Sequence, residues 1–557
     1  MSGISRRLPD SERSRLKDIL KGLITDEEGV IVRTAAEGAS DDELTRDVVR
    51  LKAQWEDIKK KSESTSVNAP TLLYGEPDLT VRVIRDIFNE DFRKLTVQGD
   101  GAWEDINNYL GHIAPELLAK IEKWTGVKDL FTENRARLAA VLPDKALAVV
   151  HSADIPWRCA DGSMAFIQSS DLFYLSGIDQ EETVLLLMPG HPDPALREIL
   201  FVRETSELIA IWEGHKVTIE EAQKISGMAT VKWTTEFDAV FRRLVRETET
   251  IWLNHNEHGR SGAPVNFSLD DRFRRLCQER HPHHRYERLA PLMHRLRAEK
   301  SEHEIALVQR ACDITAKGFE RLLRFVKPGV MEYEIEAELL HEFARHGSRG
   351  FAYQPIIASG KNACVLHYIV NDQPCRDGEL LLLDVAAEYA NYNSDLTRTI
   401  PVNGKFTPRQ RAVYDAVHRI LRLCIDELIV PGKHLKDVYH KEVARATEDE
   451  LIALGLLDPR VVDDERVQED LPEEKRAYRK YFMHGVSHSL GLDVHDVTPA
   501  ENVFVENMIV TVEPGIYLPD EGFGVRLEND IVVKTGGNLD LMAHIPIDAD
   551  EIEAMMA

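Results

Sequence analysis

The stretch LLLLDVAAEYANYNSDLTRT, residues 380–399, decides the fold that we predict for the C-terminal part of the chain. Four leucines lead directly into Asp384, and Asp395 follows eleven residues later in a second strand-like run. If the two runs form one hairpin, its turn centres between Tyr389 and Ala390 and the two aspartates face each other, with Cβ atoms about 4.5–5.5 Å apart. Two ionised carboxylates at that distance repel, so the pair must share a proton or hold a cation.

The same geometry is predicted for the stretch TVEPGIYLPDEGFGVRLEND, residues 511–530. Glu513 and Glu528 are fifteen residues apart, and their midpoint falls between Asp520 and Glu521, inside the turn sequence PDEG. A second hairpin would therefore bring a second pair of acids face to face. One such pair can share a proton, whereas two pairs in one domain favour metal ions.

Histidines that can complete a metal site occur in two nearby motifs. MHGVSHSLGLDVHDV, residues 483–497, contains His484, His488 and His495, and ACVLHYIV contains His367. Oxygen and imidazole ligands without a thiolate suit Mn²⁺, Co²⁺, Fe²⁺ or Zn²⁺, and two such ions balance the charge of four carboxylates. A pair of ions about 3.5–4 Å apart can hold a hydroxide and polarise a carbonyl or phosphoryl oxygen.

Composition narrows the class of protein. The chain has 557 residues, a net charge of -26 and a pI near 5.3, which argues against a protein that mainly coats nucleic acid or anionic membrane. The N-terminal sequence lacks the apolar core of a secretory signal, and no apolar run approaches the about 20 residues of a membrane helix. The 6 cysteines are scattered without a CxxC pair. We therefore expect a cytoplasmic protein without a membrane partner.

Three regions differ in pattern. Residues 1–131 are charged, with helical spacing of apolar residues over 41–64; residues 132–295 mix short β-rich runs with amphipathic stretches and predict an α/β domain. Residues 296–557 begin with a long helical pattern over 297–326, which KPGV ends, and continue with alternating strands and helices.

Residues from about 132 to 557 resemble aminopeptidase P, a family of the prolidase and methionine aminopeptidase superfamily. The resemblance rests on LHY, LLLDVAAEYANYNSDLTRT, FMHGVSHSLGLDVHD, TVEPGIYL and GVRLENDIVV, which follow the family order. SSDLFYLSGIDQEETVLLLMPG and FVRETSELIAIWEGHKV resemble its N-terminal domain. The implied fold is a multidomain α/β and α+β chain, with a pita-bread metallopeptidase domain over 296–557 and an aminopeptidase P N-terminal α/β domain over 132–295.

The resemblance also implies roles for individual residues. The metal ligands would be Asp384, Asp395, His488, Glu513 and Glu528, with Asp395 and Glu528 bridging two ions, most simply Mn²⁺. Glu513 would also relay protons to the leaving amine, while His367 and His495 would hold the scissile carbonyl and stabilise its gem-diolate. His484 would line a proline pocket near Arg526. Trp212 is a candidate substrate-binding residue from a neighbouring subunit, and a core aromatic is the alternative reading of Trp212.

Residues 1–131 resemble a fragment of bacterial ribonuclease E/G around its 5′-sensor. The similar stretches are GISRRLPDSERSRL, VIVRTAAEGAS and IEKWTGVKDLF, in which Arg33 and Thr34 match the pair that contacts a 5′-monophosphate. The catalytic acids, the S1 region and the cysteine link motif of that family are missing. We therefore expect neither ribonuclease activity nor RNA binding, and a natural fusion, an engineered fusion and an assembly artefact are all compatible with the junction.

The function implied by the resemblance is hydrolysis of the N-terminal Xaa–Pro bond of peptides by a hydroxide held between two metal ions, in a homo-oligomer. An Xaa–Pro dipeptidase is the alternative within the same class. From a different class, an RNA 5′-end binding module with a passenger peptidase is the alternative. A metal-free binding protein on the same fold, or a creatinase-like relative, would lack several of the acids that this chain retains.

Overall fold

A computed structural model describes residues 127–258, 268–468 and 470–557 without interruption. Among the first 126 residues it describes 3–4, 9–25, 29–32, 95–98 and 115–124, with isolated positions between 38 and 110. The described chain divides into two compact units, residues 1–126 and 127–557. Among these described residues, no helix combines the length and the apolar character needed to cross a membrane.

The first unit contains short elements around two small apolar clusters. They are helix Asp10–Leu23, the 3-10 helix Pro115–Lys120 and the strands Gly3–Ile4, Ile31–Val32, Leu95–Gln98 and Ile121–Trp124, which pair in parallel as first with second and third with fourth. One cluster contains Leu16 and Leu20, and the other contains Ile106 and Leu110. The predicted phosphate-binding residues Arg33 and Thr34 lie outside the described residues, as does most of the helical pattern predicted over 41–64.

The second unit begins with an α/β part built on a six-stranded sheet. Its strands, in spatial order, are Val231–Trp233, Glu198–Val202, Val184–Leu187, Ala146–His151, Thr250–Leu253 and Arg285–Arg288, with a separate hairpin Trp157–Cys159 and Gly162–Ser163. Its helices are Val127–Val141, Ser170–Ser176, Glu207–Glu213, Ile219–Ser226, Phe237–Leu244, Leu269–Arg280 and Ala290–Ala298. Strand Ala146–His151 is buried along its whole length because both faces of the sheet are covered.

The C-terminal part of this unit surrounds short antiparallel sheets with helices. The helices are Glu302–Phe325, Glu332–Arg345, Pro408–Leu423, His440–Ala453, Pro459–Val467 and Ala549–Met556. The strands are Ile356–Ser359, Leu380–Asp384, Glu388–Tyr389, Tyr392–Asn393, Thr397–Pro401, Ile509–Val512, Gly515–Leu518, Phe523–Arg526, Asn529–Val532 and Leu539–Asp540. One apolar cluster, which includes Leu175, Val308 and Val525, runs through both parts of the unit.

The long helix predicted over 297–326 is two helices. Arg297 and Ala298 end the helix Ala290–Ala298, and a new helix begins at Glu302. The break occurs at Ser301, whose hydroxyl accepts a hydrogen bond from the Glu304 amide while the Glu304 carboxylate accepts one from the Ser301 amide. Such a reciprocal cap satisfies two amides that have no partner within the helix. The helix ends at Phe325, shortly before Pro328, as predicted.

The first predicted hairpin exists, but its register differs from the prediction. Asp384 pairs with Thr397, so it does not face Asp395 across the ladder. The turn is one residue further along, at Ala390 and Asn391, where both φ angles are positive (51° and 69°), as a two-residue type I′ turn requires. The pairing is shifted by two residues, and side chains alternate with period two. Asp395 therefore still points to the face on which Asp384 lies.

The second hairpin has the predicted register. Val512 pairs with Asn529 and Gly515 pairs with Arg526, which places Glu513 opposite Glu528 between the two ladders. The PDEG turn lies at the centre of this pairing, as its composition indicates.

Hydrogen bonds join the two hairpins near the acidic residues Asp395 and Glu528. The Glu528 amide donates to the Thr397 carbonyl over 3.0 Å, and the Thr399 hydroxyl donates to the Arg526 carbonyl over 3.0 Å. The guanidinium of fully buried Arg398 donates to the carbonyls of Glu528 and Pro546. These contacts fix the acids of one hairpin against those of the other.

Candidate metal centre

Nine of the predicted site residues line one cavity of about 590 Å³. They are His367, Asp384, Asp395, His484, His488, His495, Glu513, Arg526 and Glu528. All of the acids lie where a strand ends or is interrupted: Asp384 is the last residue of its strand, and Glu513 and Glu528 each separate two strands. From these positions the four acid side chains line the cavity.

The compact part of the site is formed by Asp395, His488 and Glu528. One ligand atom from each lies within 4.8 Å of the others. His488 Nε2 lies 3.5 Å from an Asp395 oxygen and 3.7 Å from a Glu513 oxygen. The other ring nitrogen, Nδ1, is 3.0 Å from the Ser489 carbonyl. A proton on Nδ1 donates to that carbonyl and leaves the Nε2 lone pair facing the acids, as in metal-ligating histidines.

Burial and mutual repulsion make these carboxylates hard to ionise without a cation. Burial, followed by the charge of Asp384, raises the pKa of Glu528 to about 8. Burial, followed by the charges of Glu528 and Asp384, raises the pKa of Asp395 well above its usual range. The donor set contains carboxylate oxygens and one imidazole nitrogen with no thiolate, which fits hard or borderline divalent ions. The residues therefore fit a metal centre.

Asp384 is held at the edge of this cluster by two donors, the predicted site residue Arg526 and Tyr353, which the sequence does not reveal. The Arg526 guanidinium donates to Asp384 Oδ2 over 2.5 Å, and the Tyr353 hydroxyl donates to Oδ1 over 2.6 Å. The ion pair with Arg526 lowers the repulsion between Asp384 and its neighbouring acids. Arg526 is thus part of the electrostatic balance of the centre.

His484 occupies a different side of the cavity as a neutral imidazole. Its Nδ1 lies 2.7 Å from the Gly485 carbonyl and its Nε2 lies 2.7 Å from the Tyr517 hydroxyl, which in turn accepts from Arg526 over 2.8 Å. Burial, followed by the charge of Arg526, lowers the pKa of His484 to about 3. The Tyr517 hydroxyl therefore donates to Nε2, and the ring faces the cavity without charge.

His495 lies against His488, the candidate metal ligand. Its ring centroid is 4.3 Å from that of His488, and the two ring planes are nearly perpendicular at 86°. Both side chains come from one loop, residues 484–497, so the position of His495 depends on how that loop is held. His367 enters the cavity from the segment that follows the 3-10 helix Gly360–Cys364.

Sequence patterns do not single out three contact residues of the site, which are Tyr353, Thr397 and Tyr517. The Thr397 hydroxyl donates to Glu528 over 2.6 Å, and the two tyrosines bind Asp384 and His484 as described above. The only available indication was that Thr397 and Tyr517 occur inside the matching motifs. Tyr353 comes from a separate segment and becomes identifiable only once the sheets are assembled.

Trp212 lies away from the core. It is on helix Glu207–Glu213 and is 81% exposed. The alternative reading of Trp212 as a core aromatic is therefore wrong, and a role at a subunit contact stays a prediction.

Family models match three ranges of the chain. Residues 306–535 match metallopeptidase family M24, residues 131–252 match the aminopeptidase P N-terminal domain, and residues 1–140 match the ribonuclease E/G family. The predicted resemblances are thus confirmed for both parts. The domain boundaries near residues 131 and 295 stay predictions, because the matched ranges overlap at 131–140 and leave 253–305 unassigned.

Similar proteins and solved structures align with this chain over almost their whole length. The Xaa-Pro aminopeptidase of Haemophilus influenzae is 34% identical over 448 residues, which is 77% of this chain and 97% of that protein. A putative aminopeptidase P from Bacillus anthracis superposes with a TM-score of 0.70 at 31% identity, covering 77% of this chain and 98% of that one. Zn-substituted Escherichia coli aminopeptidase P in complex with product superposes with a TM-score of 0.68 at 32% identity, covering 77% of this chain and 98% of that one.

These matches confirm the predicted fold class, in which a pita-bread metallopeptidase domain follows an aminopeptidase P N-terminal domain. They also agree with the carboxylate and histidine cluster that the two hairpins build. The chain belongs to the aminopeptidase P family of M24 metallopeptidases.

Proposed function

We propose that this chain is a metal-dependent Xaa-Pro aminopeptidase, which removes the N-terminal residue of a peptide when proline follows it. The observation that carries the proposal is the single cavity in which five candidate ligands and three further histidines meet. Its volume of about 590 Å³ suits a ligand of a few residues. Related Xaa-Pro aminopeptidases at 34% identity support this activity over other hydrolytic reactions on the same fold.

The residues that would hold the metal ions are Asp384, Asp395, His488, Glu513 and Glu528. Two divalent ions there would supply an activated water and polarise the scissile carbonyl. We propose Mn²⁺ because oxygen donors dominate the set. Rescue of the chelated enzyme by Mn²⁺ in preference to Zn²⁺ would support this choice, and rescue by Zn²⁺ alone would contradict it.

Other side chains around the candidate ligands would transfer a proton, stabilise negative charge and bind the proline ring. Glu513 reaches both His488 and His484, with its oxygens 3.7 and 3.6 Å from their ring nitrogens, and is placed to pass a proton to the leaving amine. His367 and His495 can donate hydrogen bonds to the oxygen on which negative charge develops. Neutral His484 and the apolar side chains of Ile356, Leu366 and Ile369 offer an uncharged wall for the proline ring.

A direct assay separates this function from that of a dipeptidase. We expect the purified enzyme to release the first residue from Gly-Pro-Ala and to cleave Gly-Pro poorly, because the C-terminal extension of the substrate continues into the open cavity. Free glycine is measured for both peptides at equal concentration. Cleavage of the dipeptide alone would favour the dipeptidase alternative.

Removal of the first unit tests the alternative from a different class. We expect deletion of residues 1–126 to leave kcat and KM within about twofold, since the second unit contains its own continuous core and the whole metal centre. Binding of 5′-monophosphorylated RNA by the full chain is measured in parallel. Tight binding that is lost in Arg33→Ala would instead support an RNA-binding module.

We also propose that the chain forms a homo-oligomer through its N-terminal α/β part. Large apolar side chains are exposed there on two separate segments, 157–167 and 208–212, and they are Trp157, Met164, Ile167, Leu208, Ile211 and Trp212. Leu208, Ile211 and Trp212 are spaced i, i+3 and i+4 on helix Glu207–Glu213 and so share one face, and an exposed apolar face favours a protein contact. Sedimentation of the wild type and of Ile211→Asp tests this, since an unchanged monomer in both would contradict it.

For localisation we propose the cytoplasm, because all 6 cysteines are free and 4 of them are buried. Recovery of the protein from a periplasmic or secreted fraction would contradict this proposal.

A further inference from the structure

Arg297 is a buried cation that joins the N-terminal α/β part to the loop of the metal centre. It lies in the last turn of helix Ala290–Ala298 and is only 4% exposed. Its guanidinium donates to Asp171 over 2.9 Å, to Asp493 over 2.7 Å and to Asp496 over 2.5 Å. Asp171 belongs to the first turn of helix Ser170–Ser176, so one side chain spans three separate parts of the chain.

Two of these acids flank His495 directly. Asp493 is two residues before it and Asp496 is the residue after it. The Ser170 hydroxyl donates to the second oxygen of Asp493 over 2.7 Å, and Lys300 donates to Asp496 over 3.2 Å. Two side-chain donors therefore hold each of these two carboxylates, and the Val497 amide adds a third donor to Asp496. The backbone at His495 runs between the two carboxylates.

The loop itself is folded tightly onto this ion cluster. The Asp496 amide donates to the Ser489 carbonyl over 2.8 Å, which closes the loop between His488 and His495. A Cβ atom at Gly491 would lie 2.4 Å from Asp496 Oδ2 and 3.0 Å from Lys300 Cε, so only glycine permits this approach. The loop thus has little freedom to move relative to Arg297 and Lys300.

Charge makes the arrangement specific to a guanidinium. Two cations, Arg297 and Lys300, face three carboxylates. Burial alone would raise the pKa of Asp496, but the charges of Arg297 and Lys300 outweigh the effect of burial, so the pKa of Asp496 is lowered. Asp496 is therefore ionised and dependent on its partners. The planar fork of arginine can serve several carboxylates at fixed angles, whereas the single ammonium of lysine cannot.

We propose that Arg297 is a positioning residue for catalysis: through Asp493 and Asp496 it sets the place of His495 beside the metal ligand His488, and through Asp171 it makes that placement depend on the N-terminal α/β part. The proposal rests on the proposed function of His495. Arg297 itself touches neither substrate nor reacting atoms. A small displacement of a group that contacts the reacting centre can lower the rate by about a hundredfold.

A double-mutant cycle with the full-length metal-loaded enzyme tests this proposal. We expect Arg297→Lys to lower kcat for Gly-Pro-Ala about tenfold while KM changes less than about twofold and the metal content per chain stays at the wild-type value. In a His495→Ala background, the same Arg297→Lys change is expected to alter kcat by less than about twofold, because the displaced group is already absent. Arg295→Lys is the matched control, since Arg295 lies in the same helix, is exposed and pairs only with exposed Glu501 among its described ion pairs.

Additive losses in the double mutant, or a loss in Arg297→Lys that follows metal content, would overturn the proposal in favour of a purely structural role. A fully active His495→Ala would overturn it as well, and wild-type turnover would still establish the peptidase function. If Arg297→Lys does not fold, Asp171→Asn replaces it in the cycle. This change keeps the side-chain shape and weakens the tether to the α/β part, where Asp171 also accepts from Asn254, while Asp493 and Asp496 keep their own bonds to Arg297. A smaller loss of kcat that disappears in the His495→Ala background supports the proposal, and an additive loss overturns it.

Discussion

Asp395→Asn is expected to lower kcat for an Xaa-Pro tripeptide by about a thousandfold or more. Asparagine keeps the volume of the side chain but removes the charge and one ligand oxygen from the most crowded part of the centre, where Asp395 lies 3.5 Å from His488. Turnover and metal content are measured on the same preparation, with loss of one or both ions expected. Asp377→Asn is the control, because Asp377 is exposed in the turn before strand Leu380–Asp384.

The same variant is expected to have the opposite effect on the stability of the metal-free protein. Asp395 is buried beside Glu528 and Asp384, and these charges make its own ionisation unfavourable. Neutralising it removes this cost, so chelated Asp395→Asn should unfold at a higher temperature than the chelated wild type. Full activity in Asp395→Asn, or a lower unfolding temperature in chelator, would contradict the description of the site as a repelling acid cluster.

The second large effect concerns pH and metal removal. In the metal-free folded state the pKa of Glu528 is raised to about 8 from an ordinary value of 4.5. Between these pH values the folded protein holds a proton that the unfolded chain has released. The free energy of unfolding therefore falls as pH rises through this window, by an amount on the order of 5 kcal/mol for this one group. The raised pKa of Asp395 acts in the same direction.

Glu528→Gln isolates this contribution. Buried histidines such as His484, whose pKa is lowered to about 3, stabilise the fold as pH rises toward 6.5 and partly mask the acid. Subtracting the unfolding free energy of chelated Glu528→Gln from that of the chelated wild type removes the shared histidine effect. In urea unfolding at several pH values from 5 to 8, the free energy of unfolding of the wild type minus that of Glu528→Gln should fall steadily as pH rises. A constant difference would contradict the raised pKa.

Bound metal should reverse the trend for the wild type. Protons and divalent ions compete for the same carboxylates, so higher pH favours metal binding and the stability that accompanies it. The free energy of unfolding of the wild type with saturating Mn²⁺ is therefore expected to rise from pH 6 to 8. Over the same range the chelated wild type is expected to lose the contribution that protonated Glu528 makes to its free energy of unfolding. Identical pH profiles with and without metal would contradict this coupling.

The sequence predicts which face of each hairpin the acids occupy better than it predicts which residues pair across the hairpin. The PDEG turn set the register that places Glu513 opposite Glu528, whereas the turn at Ala390 and Asn391 was placed one residue too early. Asn391 offered a signal, since asparagine tolerates positive φ better than most residues. The error did not affect the metal centre because a shift of two residues in pairing preserves the face of Asp395.

Contacts between distant segments were beyond the reach of sequence patterns. The Tyr353 hydroxyl and the Arg526 guanidinium come from separate segments and donate to different oxygens of Asp384, and nothing local to Tyr353 distinguishes it from a core tyrosine. The same holds for Arg297, which the sequence placed at the start of a long helix and the structure places at a junction of three segments. Such residues become visible only when burial and partners are known.

Anomalous diffraction from crystals soaked with Mn²⁺ shows whether the acids of the two hairpins hold metal ions. We propose that acids from the two β-hairpins converge around two divalent ions. We expect two anomalous peaks per chain within the cavity, both adjacent to Asp395 and Glu528. No peak there, or a single ion bound away from these two side chains, would contradict it.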